Sequence, residues 1–332
     1  MSNKILIIRF SSIGDIVLTT PVIRCLKKQL PTAEIHYITK PQYKIIPENN
    51  PYIDKLHILD KNIVAKAYEL KEENYDVVID LHNNLRTAIF KNIIGSRSYS
   101  FPKLNYEKWL LVNFRINILP DLHIVDRYFK PALPLGIVND GEGLDYFIPQ
   151  RDHADTGFIT TAKEGGYIAW SIGAQHFTKK FPNDKIINIC KMLDVPVLLM
   201  GGEEDSANAE EICRSAGKHV INACGKYNLN QSASLIQQSN LVVTNDTGLM
   251  HIAVALKKPV ISLWGNTMPE FGMRPYYGKS EIRNSKFEMK NLNCRPCSKI
   301  GFDKCPKGHF KCMRMTDDMA LLQAIRSFYI SS

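Results

Sequence analysis

The sequence alternates, twice over, between short β-branched apolar runs and stretches with helical spacing, joined by turns of a few polar residues. Continuous apolar runs suit strands buried on both faces. Strand–helix alternation with short connections then favours a parallel sheet covered by helices. The first series predicts strands over 4–8, 34–39, 56–59 and 75–80, with helices over 16–30, 63–73 and from the turn after residue 80 to about 94. The segments 103–114 and 123–130 also read as helical. The second series predicts strands over 167–172, 195–200, 219–223, 241–244 and 260–264, and helices over 183–193, 203–216, 229–238 and 248–256, before a final amphipathic helix over 317–329.

A chain of 332 residues exceeds what one core usually supports, so two domains are expected. The polar, turn-rich stretch over 140–165, from Asp140-Gly-Glu-Gly143 through Arg151-Asp-His-Ala-Asp-Thr-Gly157, places the crossing near residue 150. This divides the chain into a domain over 1–150, a second over 151–315 with a cysteine-rich loop over 291–314, and a C-terminal helix over 316–332 expected to pack back on the first domain. With two doubly wound halves, a cleft between domains is the default site.

No run of 18 apolar residues occurs and Met1-Ser-Asn-Lys4 leads directly into a strand, so a cytoplasmic protein is expected. The formal charge is +9, suited to phosphorylated substrates or an anionic membrane surface. The basic residues are scattered in pairs without a long tract, and no nucleic-acid motif accompanies them, so no nucleic-acid partner is expected.

Chemistry concentrates at strand ends, where parallel sheets bind ligands. In Leu241-Val-Val-Thr-Asn-Asp246-Thr247-Gly248-Leu-Met-His251 an apolar strand meets a helix start. The backbone N–H groups near Thr247 and Gly248 would there favour a diphosphate. Asp246 reads as a helix cap or as a functional acid, and His251 as a packed residue or one facing the ligand. The first strand ends in Ser11-Ser12-Ile13-Gly14-Asp15. Gly14 permits close backbone approach, and Asp15 is either a cap or a site residue. This turn lacks the G-x-G-x-x-G pattern of dinucleotide binding, which argues against an oxidoreductase. His82, Asn83, Asn84 and Arg86 gather at another strand end, as a binding mouth or a solvated loop. Trp109 and Phe114 read as a core stripe, with an acceptor groove lined by Trp109, Phe114 and Arg115 as the alternative.

Taken together, these segments resemble glycosyltransferase family 9, the ADP-heptose:lipopolysaccharide heptosyltransferases, over nearly the whole chain. The resemblance is carried by Arg9-Phe-Ser-Ser-Ile-Gly-Asp15, Asp80-Leu-His-Asn-Asn-Leu-Arg86, Val125-Asp-Arg-Tyr128, Lys179-Lys-Phe-Pro182, Asn245-Asp-Thr-Gly-Leu-Met-His251 and Leu263-Trp-Gly265. It implies a GT-B architecture of two Rossmann-like domains facing across a cleft, the nucleotide sugar held mainly by the C-terminal one. It also implies inverting transfer of a heptosyl unit from ADP-heptose to a lipopolysaccharide inner-core acceptor, with no cofactor or metal required for the chemical step. Asp15 matches the family's proposed base, and Lys179 the lysine of K-x-[W/F]-P, with Lys180 competing by one position. Asp246 would orient the loop or contact the sugar, His251 would brace the phosphate or Asp246, and Asp205 would bind the ribose. Ser171 joins the donor side, and Ser11, Ser12, Gly14, Asn84 and Arg86 the acceptor side. The implied partners are the nucleotide-sugar donor and a lipid A-core glycolipid met at the inner face of the cytoplasmic membrane. Trp170-Ser-Ile-Gly-Ala174 departs from the usual H-P-G-A and Phe181 from the usual Trp, which leaves open another nucleotide sugar or a non-catalytic sugar-nucleotide-binding protein.

Four of the eight cysteines cluster as Cys294-x2-Cys297-x7-Cys305-x6-Cys312. The C-x2-C pair fits a structural zinc site, whereas the wider spacings depart from the usual paired knuckle. The residues leave open a zinc site and free or oxidisable thiols. The basic residues around them, including Lys299, Lys304 and Lys307, read as a contact for lipid phosphates or as a solvated loop.

Overall fold

The computed structural model describes residues 4–159 and 166–330, and the chain resolves into two compact units. The end of the expected interdomain crossing, 160–165, and the last two residues of the expected C-terminal helix lie outside the described residues.

The first unit is built on a five-stranded parallel sheet in the order β3-β2-β1-β4-β5. Its strands are β1 (Lys4–Ile8), β2 (Glu34–Thr39), β3 (Lys55–Ile58), β4 (Val77–Asp80) and β5 (Arg97–Ser100). Ile5 to Ile8 are fully buried because helices cover both faces of β1, as the unbroken apolar run required. The helices are α1 (Ile13–Val17), α2 (Thr20–Gln29), α3 (Ile63–Lys71) and α4 (Leu85–Ile94). Asn62 caps α3 through Ala65 N–H, and α4 stops at Gly95, whose φ of 77° suits a left-handed helix end. The single helix expected over 16–30 is two pieces, since Pro21 opens a new first turn at α2. Strand β5 was not expected; Arg97, Ser98 and Ser100 carry no apolar pattern to reveal it.

Two boundaries differ from the sequence expectation. The segment over 105–121, with α5 (Asn105–Phe114), belongs to the second unit, and the chain returns to the first for α6 (Ile124–Phe129) and on to Phe147. Arg115 at the end of α5 donates to the carbonyls of Asn293 (3.1 Å) and Pro296, a tie that no periodicity can announce. The stretch at 140–147 is not linker either. Arg24, buried in α2, forms a two-pronged pair with Asp140 at 2.8 Å through both Nε and Nη2, and also pairs with Asp145.

The second unit holds a six-stranded parallel sheet in the order β11-β10-β9-β6-β7-β8. Its strands are β6 (Ile168–Ser171), β7 (Val197–Met200), β8 (Val220–Asn222), β9 (Leu241–Asn245), β10 (Val260–Trp264) and β11 (Asn284–Glu288). Helices α7 (Asn183–Cys190), α8 (Ser206–Ala216), α9 (Leu229–Gln238) and α10 (Gly248–Ala255) intervene, followed by α11 (Lys311–Arg314) and α12 (Asp318–Ile330). The final helix corrects the expectation that it packs on the first domain. It lies against α7 and β9, and Leu321, Leu322, Ile325 and Phe328 join the core of the second unit. Each such buried side chain contributes roughly 1.5–3 kcal/mol, enough to fix where the helix goes.

In each sheet the strand order reverses direction beside the first strand laid down. In the first unit the reversal falls between β1 and β4, and in the second between β6 and β9. The loops leaving these four strands therefore meet at the two switch points, where open parallel sheets hold ligands.

Candidate active-site residues

In the first unit, Asp15 stands in the first turn of α1, just beyond β1. Its Oδ2 accepts from Ser12 N–H (3.3 Å) and Ser12 Oγ–H (2.9 Å), while Oδ1 pairs with Arg9 Nη2 at 2.8 Å and receives Tyr128 O–H at 3.5 Å. The cap reading is realised by one oxygen, which closes the helix start, while the other faces a buried guanidinium and a phenol. Arg9 is itself fixed by the carbonyls of Ser11 (2.7 Å) and Leu81. Burial works against its charge, but the Asp15 carboxylate, together with Tyr128 and Tyr37, outweighs this and holds Arg9 above its ordinary value. Gly14 is buried beneath the turn, and Ser12 is exposed.

The second loop at this switch point follows β4. Asp80 Oδ1 accepts N–H groups of His82 (3.0 Å) and Asn83 (2.7 Å), and Lys91 meets Oδ2 at 2.9 Å. Burial and the nearby positive charge of Arg9 push His82 down to about 4, so it is neutral at pH 7. The Asn84 side chain caps α4 by accepting Thr87 N–H at 3.0 Å, while Arg86 stands exposed in the first turn. The geometry thus gives Asn84 a structural duty and leaves Arg86 available at the surface.

In the second unit, Thr247, not Asp246, is the cap residue of α10, and it makes no side-chain cap bond. Asp246 is 8% exposed and is turned to Lys179 Nζ at 2.7 Å and Thr267 Oγ–H at 2.8 Å. The helix-cap reading of Asp246 is thereby replaced by an ion pair with the loop after β6. Lys180 takes the other direction and meets Asp205 Oδ1 at 2.6 Å. Asp205 is 2% exposed, so it is not a solvated helix-start acid. Its Oδ2 accepts Gly202 N–H at 3.2 Å, and a Cβ on Gly173 would meet that oxygen at 2.2 Å, so a side chain there would have to displace the Asp205 carboxylate.

Asn245 holds these parts together. Its Nδ2 donates to the Ile172 carbonyl (3.1 Å), its Oδ1 accepts Phe181 N–H (3.2 Å), and a longer contact reaches the carbonyl of buried Ser171. The strand end of β9 is in this way tied to both ends of the lysine-bearing loop. Thr247 and Gly248 are partly exposed at the α10 start, and Thr247 Oγ has no hydrogen-bond partner among the described residues. His251 is buried one turn further on. The second unit therefore gathers Ser171, Lys179, Lys180, Asp205, Asp246, Thr247 and Gly248 at its switch point.

The family model for glycosyltransferase family 9 (heptosyltransferase) matches residues 63–300. The chain belongs to that family. It is 25% identical to lipopolysaccharide heptosyltransferase 1 of Campylobacter coli over 295 residues, 80% of this chain and 84% of that protein. The fold matches a family 9 glycosyl transferase from Veillonella parvula with a TM-score of 0.78 at 22% identity, over 100% of this chain and 99% of the other. It also matches the E. coli ADP-heptose lps heptosyltransferase II with a TM-score of 0.73 at 19% identity, over 99% of each chain. This family 9 chain is a glycosyltransferase of GT-B type, with two Rossmann-like domains.

The matched region of this transferase contains the β4 loop, the lysine pair and the β9–α10 turn, while Asp15 precedes it. Sequence reasoning quoted Arg9 and Tyr128 without giving them a task; a charged residue ending an all-apolar strand was the available signal. Asn245 stands in a quoted motif in the same way, whereas Thr267 gave no signal, because its partner is distant in sequence. The core stripe expected of Trp109 and Phe114 is not found: they are 51% and 57% exposed, with rings 5.2 Å apart.

Proposed function

We propose that this family 9 enzyme transfers a heptosyl unit from ADP-heptose to a lipopolysaccharide inner-core acceptor with inversion at the anomeric carbon. The observation that carries the reading is the Lys179–Asp246 pair beside the start of α10. There a cation held by a carboxylate stands next to a helix start whose first N–H groups have no partner within the helix, a setting suited to a leaving diphosphate.

In this mechanism an acceptor hydroxyl attacks the anomeric carbon as the bond to the diphosphate oxygen breaks. Asp15 takes the hydroxyl proton, and its pairing with Arg9 at 2.8 Å holds the carboxylate in place. Negative charge grows on the departing ADP, where Lys179 and the backbone N–H groups at Thr247 and Gly248 offset it. Lys180 and Asp205 serve the nucleoside end, and Asn84 and Arg86 belong to the acceptor side. The two halves of the reaction thus fall to different units of the chain.

A place at the inner face of the cytoplasmic membrane fits the same reading. Among the described residues no helix is long and apolar enough to cross a membrane. Exposed Tyr106, Trp109 and Phe114 on α5, with a formal charge of +9, suit the interface of an anionic bilayer. Sedimentation with anionic vesicles checks this, and unchanged binding of a Trp109→Ser variant would remove α5 from it.

Calorimetric binding of ADP, UDP, GDP and CMP tests the donor. Preference for ADP supports the reading, preference for another nucleotide replaces heptose with a different sugar, and no binding favours a non-catalytic role.

A further inference from the structure

The cysteine-rich loop takes no part in the transfer chemistry, yet the fold gathers it. Cys294, Cys297, Cys305 and Cys312, none of them in a disulfide, ring a cavity of about 20 Å³ together with His309, Asn266 and Thr178. The wide x7 spacing is explained by its excursion. Residues 298–304 run out to the loop after β6, where Phe302 O accepts Thr178 N–H at 3.1 Å and Phe302 N–H donates to Thr178 Oγ at 2.9 Å, and then return Cys305 to the other three thiols. The x6 segment contains the turn at Gly308 and brings Cys312 in on α11.

We infer that these four cysteines form a tetrahedral site for a soft divalent cation, zinc or ferrous iron, which clamps the loop carrying Lys179 and Lys180. Four thiolates are the donor set such ions prefer, with metal–sulfur bonds of about 2.3 Å. Binding releases four protons as four thiols become thiolates. No three of the ligand atoms lie within 4.8 Å of one another, a closeness reached among the described residues by His36, His57 and Glu73, so cation binding draws the ring inward around its cavity. The histidine group is the weaker candidate. His36 and His57 hydrogen-bond each other and Tyr75, and Glu73 is held by Lys4 and Lys55.

The surroundings suit a dianionic four-thiolate centre. His309 Nδ1 accepts Lys311 N–H at 3.1 Å, which leaves Nε2 to carry the proton, and Nε2 faces Cys294 Sγ at 3.9 Å as an outer-shell donor.

The clamp reaches the donor side by two routes. One is Phe302 to Thr178, immediately before Lys179. The other runs through Arg295, between two of the cysteines, which donates to the carbonyls of Gly265 and Thr267 at 2.7 Å each, while Thr267 Oγ–H holds Asp246. A Cβ on Gly265 would meet Thr178 O at 2.4 Å, so the two routes converge tightly.

Elemental analysis of the full chain, purified without chelator, tests the site and separates zinc from iron; about one equivalent of either per chain is expected. Chelated protein titrated with Co²⁺ should give thiolate-to-cobalt charge-transfer absorption saturating at one ion per chain. Cys294→Ser and Cys297→Ser, both at partly exposed positions, should each weaken Co²⁺ binding by about tenfold or more. Absence of bound metal together with absence of charge-transfer bands in chelated wild type overturns the site, as does full Co²⁺ affinity in both variants. The clamping role, which rests on the donor reading, predicts severalfold weaker ADP binding after chelation that is restored by Zn²⁺. ADP binding indifferent to the metal removes the clamp while leaving the site, and absence of ADP binding in both forms counts against the donor reading alone.

Discussion

Asp15 and Asp246 look alike in sequence, each an acid in the turn after a buried strand, and each is paired with a base at nearly the same distance, 2.8 Å to Arg9 and 2.7 Å to Lys179. Their partners differ in kind. Arg9 is buried, is tied to two backbone carbonyls and comes from the end of the same strand as the turn, so it is part of the frame. Lys179 arrives on a flexible stem from the loop after a different strand, and in the proposed mechanism its ammonium exchanges the carboxylate for a phosphate. A fixed partner suits an acid that must keep one position. An exchangeable one suits a site that must take in a diphosphate and let it go.

The sharpest way to break this comparison is to neutralise the first acid. Asp15→Asn keeps the shape of the turn and should lower transfer by roughly 10²–10⁴-fold, with ADP affinity in calorimetry unchanged. A parallel loss of ADP binding would show that the two turns are not separate in function. Removing the exchangeable base comes next. Lys179→Ala should weaken ADP binding by about ten- to a hundredfold, the scale of a charged hydrogen bond to phosphate. Lys180→Ala should act differently: it leaves buried Asp205 without its cation, so a lowered melting temperature is expected along with a smaller change in affinity. Equal effects of the two variants on ADP would end the distinction between the lysines.

Acid sharpens the contrast between the units themselves. Burial pushes His57 and His82 of the first unit down to about 4, against about 6.5 in the unfolded chain. Between these values the unfolded chain binds more protons, so this contribution to stability is complete above about pH 6.5 and is lost as pH falls toward 4, amounting to roughly a few kcal/mol. Hydrogen exchange in β2 and β3, corrected for its intrinsic pH dependence, should quicken over that window. The three tryptophans, Trp109, Trp170 and Trp264, all lie in the second unit, so their fluorescence should stay constant while the first unit loosens. The smallest effect is expected at Arg86. Its replacement by Ala should change stability by less than about 0.5 kcal/mol, since it is exposed, and should raise the KM for acceptor if it serves that side.

Most strands and helices were legible in the sequence because burial on both faces writes itself as unbroken apolar runs, as in Ile5 to Ile8 and Leu241 to Val243. Of the edge strands, β3 and β8 were legible but β5 and β11 escaped, since Arg97-Ser-Tyr-Ser100 and Asn284-Ser-Lys-Phe-Glu288 carry no apolar run and an edge needs none. The candidate site was legible as loops: the turns bearing Asp15, Asp246 and the lysine pair follow from strand ends and from likeness to family 9. Their internal wiring was not. That Lys179 turns to Asp246 and Lys180 to Asp205 depends on a one-residue step in loop direction that spacing does not encode.

By itself, then, the sequence determined two parallel α/β units, the strand ends where chemistry gathers, and the family. These rest on local periodicity and short motifs, which survive in one dimension. The tertiary structure alone decided that α5 and α12 both belong to the second unit, that Asp140 anchors Arg24 rather than marking a linker, and that four unevenly spaced cysteines encircle one cavity. Each is a contact between segments far apart along the chain. It is chosen by where buried apolar faces and unpaired carbonyls find partners once the sheets have formed, and no short window of sequence carries that choice.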